Sequence, residues 1–183
     1  AVVPLNDRGF LLGDGLFETM LVAGGKTFRF AQHLERLSRG EDFLKIKLPF
    51  TPKEIQKFAT QLIAKNELPE AVLRGTLTRG PGGGRGYTTK GADQPTLAMT
   101  LHPLPPTNAD EPILWSLITS SFRVPAGDAL ASFKITSKVL NVLARAEAEE
   151  QGADEALLLN TNGEVAETAG GNIFWVYHEK ICT

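Results

Sequence analysis

The sequence predicts an α+β protein built as a small N-terminal unit, residues 1–104, and the start of a larger one, residues 112–183, joined by a linker at 105–111. Three observations predict it. Helix-period and strand-period apolar patterns alternate along the chain, each bounded by its own capping or turn residues. A proline-rich polar stretch beginning at His102 and Pro103 breaks that alternation once and has no periodicity of its own. The composition, 42% hydrophobic and 22% charged over 183 residues, is that of an ordinary globular chain with enough apolar side chains for a core.

Taken in order, the first helix is expected over residues 31–44, where Leu34, Leu37, Glu41 and Leu44 share a face and Gly40 weakens the middle. The second opens on Thr51, Pro52, Lys53 and Glu54, a capping box with proline at the first helical position. Ile55, Phe58, Ala59, Leu62 and Ile63 follow as its apolar stripe. Strands are expected over 72–78 and 96–101, with a glycine-rich loop at 80–86 between them. Beyond the linker come a strand over 113–119, a loop through 125–128, and a helix from 137 or 138 to Gln151, with Gly152 just past its end and Leu140, Leu143, Ala144 and Ala148 as its apolar positions. Residues 156–159 read as a buried strand, turned at Asn162 and Gly163 into a partner over 164–167, and residues 172–177 are strand-like.

Composition also narrows function. A net charge of −2 with acidic and basic residues interspersed gives no electrostatic footprint for nucleic acid. The single cysteine, Cys182, forms neither an intrachain disulfide nor a cysteine-built metal site, and His33, His102 and His178 lack metal-ligand spacing, so no metal site is expected. No apolar run approaches bilayer length, and the reading is of a cytoplasmic chain with no membrane partner. The chain opens on Ala1 without Met and stops at Thr183, and both ends read as cut.

Several residues carry chemistry. Lys134, between Phe133 and Ile135, is either a solvated lysine or an amine whose proton affinity is lowered by apolar neighbours, the requirement for a Schiff base; Lys138 is its rival. Glu167 is either a solvated strand-end carboxylate or one facing a planar ligand, for which the small residues at 169–171 leave room and backbone amides. Arg36 either covers apolar surface beside an acid or suits a phosphate. The loop from Arg79 to Tyr87 lacks the Gly-Lys-Ser/Thr ending of a phosphate-cradling loop, but Arg85 and Tyr87 pair a cation with a phenol, suited to a carboxylate.

In order, these blocks resemble the class IV, or fold-type IV, pyridoxal 5′-phosphate (PLP) enzymes, which include branched-chain and D-amino-acid aminotransferases and aminodeoxychorismate lyase. Residues 6–19 resemble the family's first block, 33–37 the helix after it, and 167–174 the signature of Glu, a small residue and Asn-aliphatic-aromatic. The resemblance implies that Lys134 is the Schiff-base lysine and its general base, preceding the block from Asn141 to Arg145 at the family's offset, where Lys138 does not align. It further implies that Glu167 pairs with the pyridine nitrogen, that Arg36 holds the phosphate with Gly170, Gly171 and Asn172 nearby, and that Phe17, Arg85 and Tyr87 meet the substrate. The loop from Thr78 to Thr88 resembles that of the lyases, which form 4-aminobenzoate and pyruvate for folate synthesis. Against this, Ile135, Thr136, Ser137 and Lys138 stand where those lyases carry His-Leu-Asn-Arg, and D-amino-acid aminotransferases use a similar loop pair for the substrate carboxylate. A non-catalytic fragment or binding module is the third reading. Family members work as homodimers on small amino substrates and continue past the last strand here, so the larger domain is expected to be incomplete.

Overall fold

The computed structural model describes residues 2–82, 86–104 and 111–183; Arg85 and all of the expected linker except Glu111 lie outside them. The chain forms two compact units, Ala1–Pro106 with Ser132–Ser137, and Thr107–Ala131 with Lys138–Thr183.

The first unit runs α1 (Arg8–Leu12), β1 (Gly15–Ala23), β2 (Lys26–Thr27), α2 (Phe30–Leu44), α3 (Pro52–Asn66), β3 (Ala71–Thr78) and β4 (Thr96–Pro103). Its antiparallel sheet has the order β2-β1-β3-β4. Register places Leu16, Glu18, Met20 and Val22 of β1 on one face, opposite Leu77, Gly75, Leu73 and Ala71 of β3. Leu37 of α2 and Ala59 and Ile63 of α3 pack in the same two apolar clusters as the leucines, Met20 and Val22 of that face. The capping box of α3 is present: Glu54 N donates to Thr51 Oγ1 at 3.3 Å and Thr51 N to Glu54 Oε2 at 2.8 Å. Gly40, expected to weaken the middle of α2, is also a contact point. A Cβ there would lie 2.7 Å from Leu16 Cδ1, so the helix reaches the strand this closely only because the position has no side chain.

The segment Ser132–Ser137, expected in the second unit, belongs to the first, because backbone pairing holds it there. Phe17 N donates to Lys134 O at 2.8 Å and Thr136 N to Gly15 O at 3.0 Å, around a bridge between Leu16 and Ile135. Phe133 and Ile135 pack with Leu16 and Leu37, and Thr136 Oγ1 donates to Gly13 O at 2.7 Å. The segment therefore adds a short antiparallel rung to β1, and strand alternation puts Lys134 on the same face as Phe17.

The second unit contains β5 (Leu117–Val124), α4 (Val139–Glu150), β6 (Glu155–Asn160), β7 (Val165–Thr168), β8 (Trp175–Tyr177) and β9 (Lys180–Cys182). β5 and β6 are parallel, β7 returns antiparallel to β6, and β8 and β9 form a separate hairpin. Ala144 and Ala148 of α4 pack on Ala156 and Leu158, whereas Leu143, expected on the apolar face, is 45% exposed. The end of α4 forms as expected at Gly152. With Gly152 at φ +72, its N–H reaches Glu149 O at 3.1 Å and Ala153 N reaches Ala148 O at 2.9 Å. The strand expected at 113–119 is displaced. Asp154 Oδ2 accepts from both the amide and the hydroxyl of Ser116, ending the approach there, and the ladder with β6 begins at Leu117 and runs to Val124. Among the described residues, no helix is long and apolar enough to cross a membrane.

Candidate active site

In the first unit the candidate groups gather around two consecutive residues of β1. Phe17 is 8% exposed; Lys134 Nζ lies 4.9 Å from its ring centroid and Arg74 Cζ, from β3, 3.8 Å. Both cations thus sit against one aromatic ring, a contact that favours charge at a ring face. Burial lowers the proton affinity of the Arg74 guanidinium, and Lys134 is itself half-buried.

Glu18, next in the strand, points to the opposite face and is 1% exposed. Arg36 donates to it through Nε at 2.6 Å and Nη2 at 2.5 Å, and His33 Nδ1 lies 2.8 Å from Oε2. These hydrogen bonds raise the Arg36 guanidinium above its ordinary value against the opposing effect of burial. Arg36 therefore does have the acidic neighbour of its simpler reading, while 41% of its side chain remains exposed.

A third cluster supports the start of β1. Asp14 accepts from Arg8 Nε at 2.8 Å and from Arg79 Nε and Nη2 at 2.7 and 3.0 Å. Burial works to raise its carboxyl, but the two arginines outweigh that and hold it below the usual carboxylate range. Arg79 also donates to Leu44 O and Lys45 O at the end of α2. Arg8 donates to the carbonyls of Thr88 and Tyr87, and with Leu11, Leu12 and Tyr87 it lines a cavity of about 300 Å³. The Tyr87 side chain is 85% exposed, and Arg85, its expected companion, lies outside the described residues.

In the second unit Glu167 sits half-buried on β7, opposite Leu158. Asn141 Nδ2 donates to Glu167 Oε1 and to Ala169 O, both at 3.2 Å, tying the carboxylate to α4. Gly170, Gly171 and Asn172 are exposed just beyond. The Gly171 amide, expected to be open to an anion, donates to Thr168 Oγ1 at 2.9 Å, and that hydroxyl in turn donates to Gly171 O.

The structure thus brings Lys134 and Phe17 together and joins Arg36 to the next residue of the strand, and by itself it places Glu167 with Asn141. Glu18, His33, Arg74 and Asn141 were not expected to take part. No local signal marked Glu18, since Phe17 beside Leu16 and Leu21 beside Met20 break the alternation of the run. None distinguished Arg74 from a solvent-facing strand residue.

The fold is that of a known class. The profile described as "Amino-transferase class IV" matches residues 15–183, and the chain belongs to this family. It is 32% identical over 96% of its length to a protein of Methanocaldococcus jannaschii assigned as a branched-chain-amino-acid aminotransferase, covering 60% of that protein. It is 30% identical over 99% of its length to the aminodeoxychorismate lyase of Vibrio harveyi, covering 66% of it. The structure superposes with a TM-score of 0.74 on the PLP-bound form of a hypothetical aminotransferase from Mycobacterium tuberculosis, at 28% identity, over 92% of this chain and 60% of the other. The chain therefore spans about three-fifths to two-thirds of these three proteins.

Proposed function

We propose that the protein is a PLP-dependent enzyme and that its reaction is the conversion of 4-amino-4-deoxychorismate to 4-aminobenzoate and pyruvate. The observation that carries the cofactor reading is the Lys134 rung, a half-buried amine fixed to β1 by its own backbone and set against the Phe17 ring beside a second cation. An amine held in this way is the group that Schiff-base formation and the accompanying proton transfer require. Bound PLP supplies an aldehyde carbon open to amines and a ring that accepts the electrons of a breaking Cα bond.

Lys134 Nζ takes the Cα proton of the substrate and keeps it within reach for return. Arg36 would offer a guanidinium edge to the phosphate. Glu167, steadied by Asn141, would accept a hydrogen bond from the protonated ring nitrogen, and Phe17 would line the substrate side. Arg85 and Tyr87 would take a substrate carboxylate, and Gly170 and Asn172 would serve the cofactor through their backbone; the Gly171 amide has its partner in Thr168. The resemblance of the loop from Thr78 to Thr88 favours the lyase and a place in folate synthesis, in a cytoplasmic homodimer acting on a small amino substrate.

A second reading, an aminotransferase of branched-chain or D-amino acids, is favoured by Ile135, Thr136, Ser137 and Lys138 after the lysine and by the Methanocaldococcus jannaschii relative. Mixing the purified protein with PLP is expected to give a visible absorbance band that Lys134→Ala abolishes; a protein that stays colourless rejects the proposal. Release of pyruvate from aminodeoxychorismate, without amino transfer to 2-oxoglutarate, then selects the lyase, and transfer without pyruvate selects the aminotransferase.

A further inference from the structure

We infer that Glu18, with His33, is a positioning residue that sets the Arg36 guanidinium for an anion, an inference that rests on the assignment of Arg36 to the cofactor phosphate. A carboxylate at an inward strand position with 1% exposure is costly unless it is paired and hydrogen-bonded. Two side chains one turn apart on α2 meet that requirement together. Arg36 takes both oxygens through Nε and Nη2, and His33 Nδ1 takes Oε2. An ionised carboxylate only accepts, so the contact with His33 requires a hydrogen on Nδ1.

The geometry has a consequence for the rest of the guanidinium. Side-on pairing consumes Nε and one N–H of Nη2, and the planar fork then fixes the direction of Nη1 and of the second Nη2 hydrogen. With 41% of the side chain exposed, Arg36 presents that remaining edge in one orientation instead of sweeping through the rotamers of a surface arginine. Glu18 cancels the formal charge of Arg36, so the anion is held by directed donors rather than by net charge. Without Arg36, Glu18 would be an uncompensated buried carboxylate close to where the anion binds.

The test compares PLP with pyridoxal, which lacks the phosphate, as ligands of the full protein, with dissociation constants from absorbance titration. Arg36→Met is expected to weaken PLP by about 10- to 100-fold and to leave pyridoxal unchanged. Glu18→Gln is expected to weaken PLP by about tenfold, again with pyridoxal unchanged. The double variant should bind PLP at least as well as Arg36→Met alone, since it removes the uncompensated carboxylate. Equal weakening of both ligands by Glu18→Gln, or no change in either, overturns the inference while Arg36→Met still shows its selective loss. If Arg36→Met itself leaves the ratio of the two constants unchanged, the phosphate assignment is what fails, and the inference goes with it. Should Glu18→Gln not fold, the half-buried His33→Gln is expected to move the same ratio by about threefold, and an unmoved ratio has the same meaning.

Discussion

The two units hold their candidate groups by different means. In the first, each important charge is locked to another charge or to a ring inside the sheet: Glu18 by Arg36 and His33, Asp14 by Arg8 and Arg79, Lys134 and Arg74 by Phe17. In the second, Glu167 depends on one neutral amide at 3.2 Å, and Arg145, in the same helix as Asn141, bonds the exposed Glu149 as well as the buried Glu155. Charge-assisted bonds in a dry setting are strong but costly to break from one side, whereas a neutral bond at a half-exposed carboxylate is weak and inexpensive to lose. The contrast implies that the groups around Lys134 are preorganised by the core of their unit, while Glu167 is adjustable within its own.

The largest expected effect breaks the first region. Arg79→Met removes four hydrogen bonds, two to Asp14 and two to the α2 carbonyls, and leaves a carboxylate with only Arg8; it should cost about 3–5 kcal/mol in denaturant unfolding. A loss within the range of a surface substitution would mean that the cluster does not lock the start of β1. The same cluster sets an acid limit. The folded Asp14 carboxyl titrates below its ordinary value of 3.8, so its contribution is fully present above that value and is lost as the pH falls through the lower folded value. Stability should decline as the pH falls below the ordinary carboxyl value of 3.8, with a shallower slope in Asp14→Asn. The smallest effect belongs to the second region. Asn141→Ala should cost only about 1 kcal/mol, and a cost equal to that of Arg79→Met would erase the distinction between the regions.

How much of this was legible in the sequence follows the same division between local and distant causes. The capping box at Thr51 and the Gly152 terminus are local devices, and both formed where expected. β1 received no expectation, since Leu16, Phe17 and Glu18 are buried in succession and the strand lacks clean alternation. The return of residues 132–137 to the first unit depends on pairing with residues more than a hundred positions earlier, which leaves no mark in the local pattern. The strand before Val124 was misplaced because the apolar residues Ile113, Leu114 and Trp115 imitate a strand yet are exposed. For the site, Lys134, Arg36 and Glu167 stood out only through resemblance to the family. Taken singly, each had a solvated reading, and their partners Glu18 and Asn141 became visible in the fold alone.

The central claim is that Lys134, and not its neighbour Lys138, carries the cofactor. Borohydride reduction of the PLP-treated protein followed by peptide mass mapping tests it directly. The account predicts a phosphopyridoxyl mass on the peptide containing Lys134, with fragment ions assigning it to that residue; the adduct on Lys138, or a protein with no adduct at all, would contradict it.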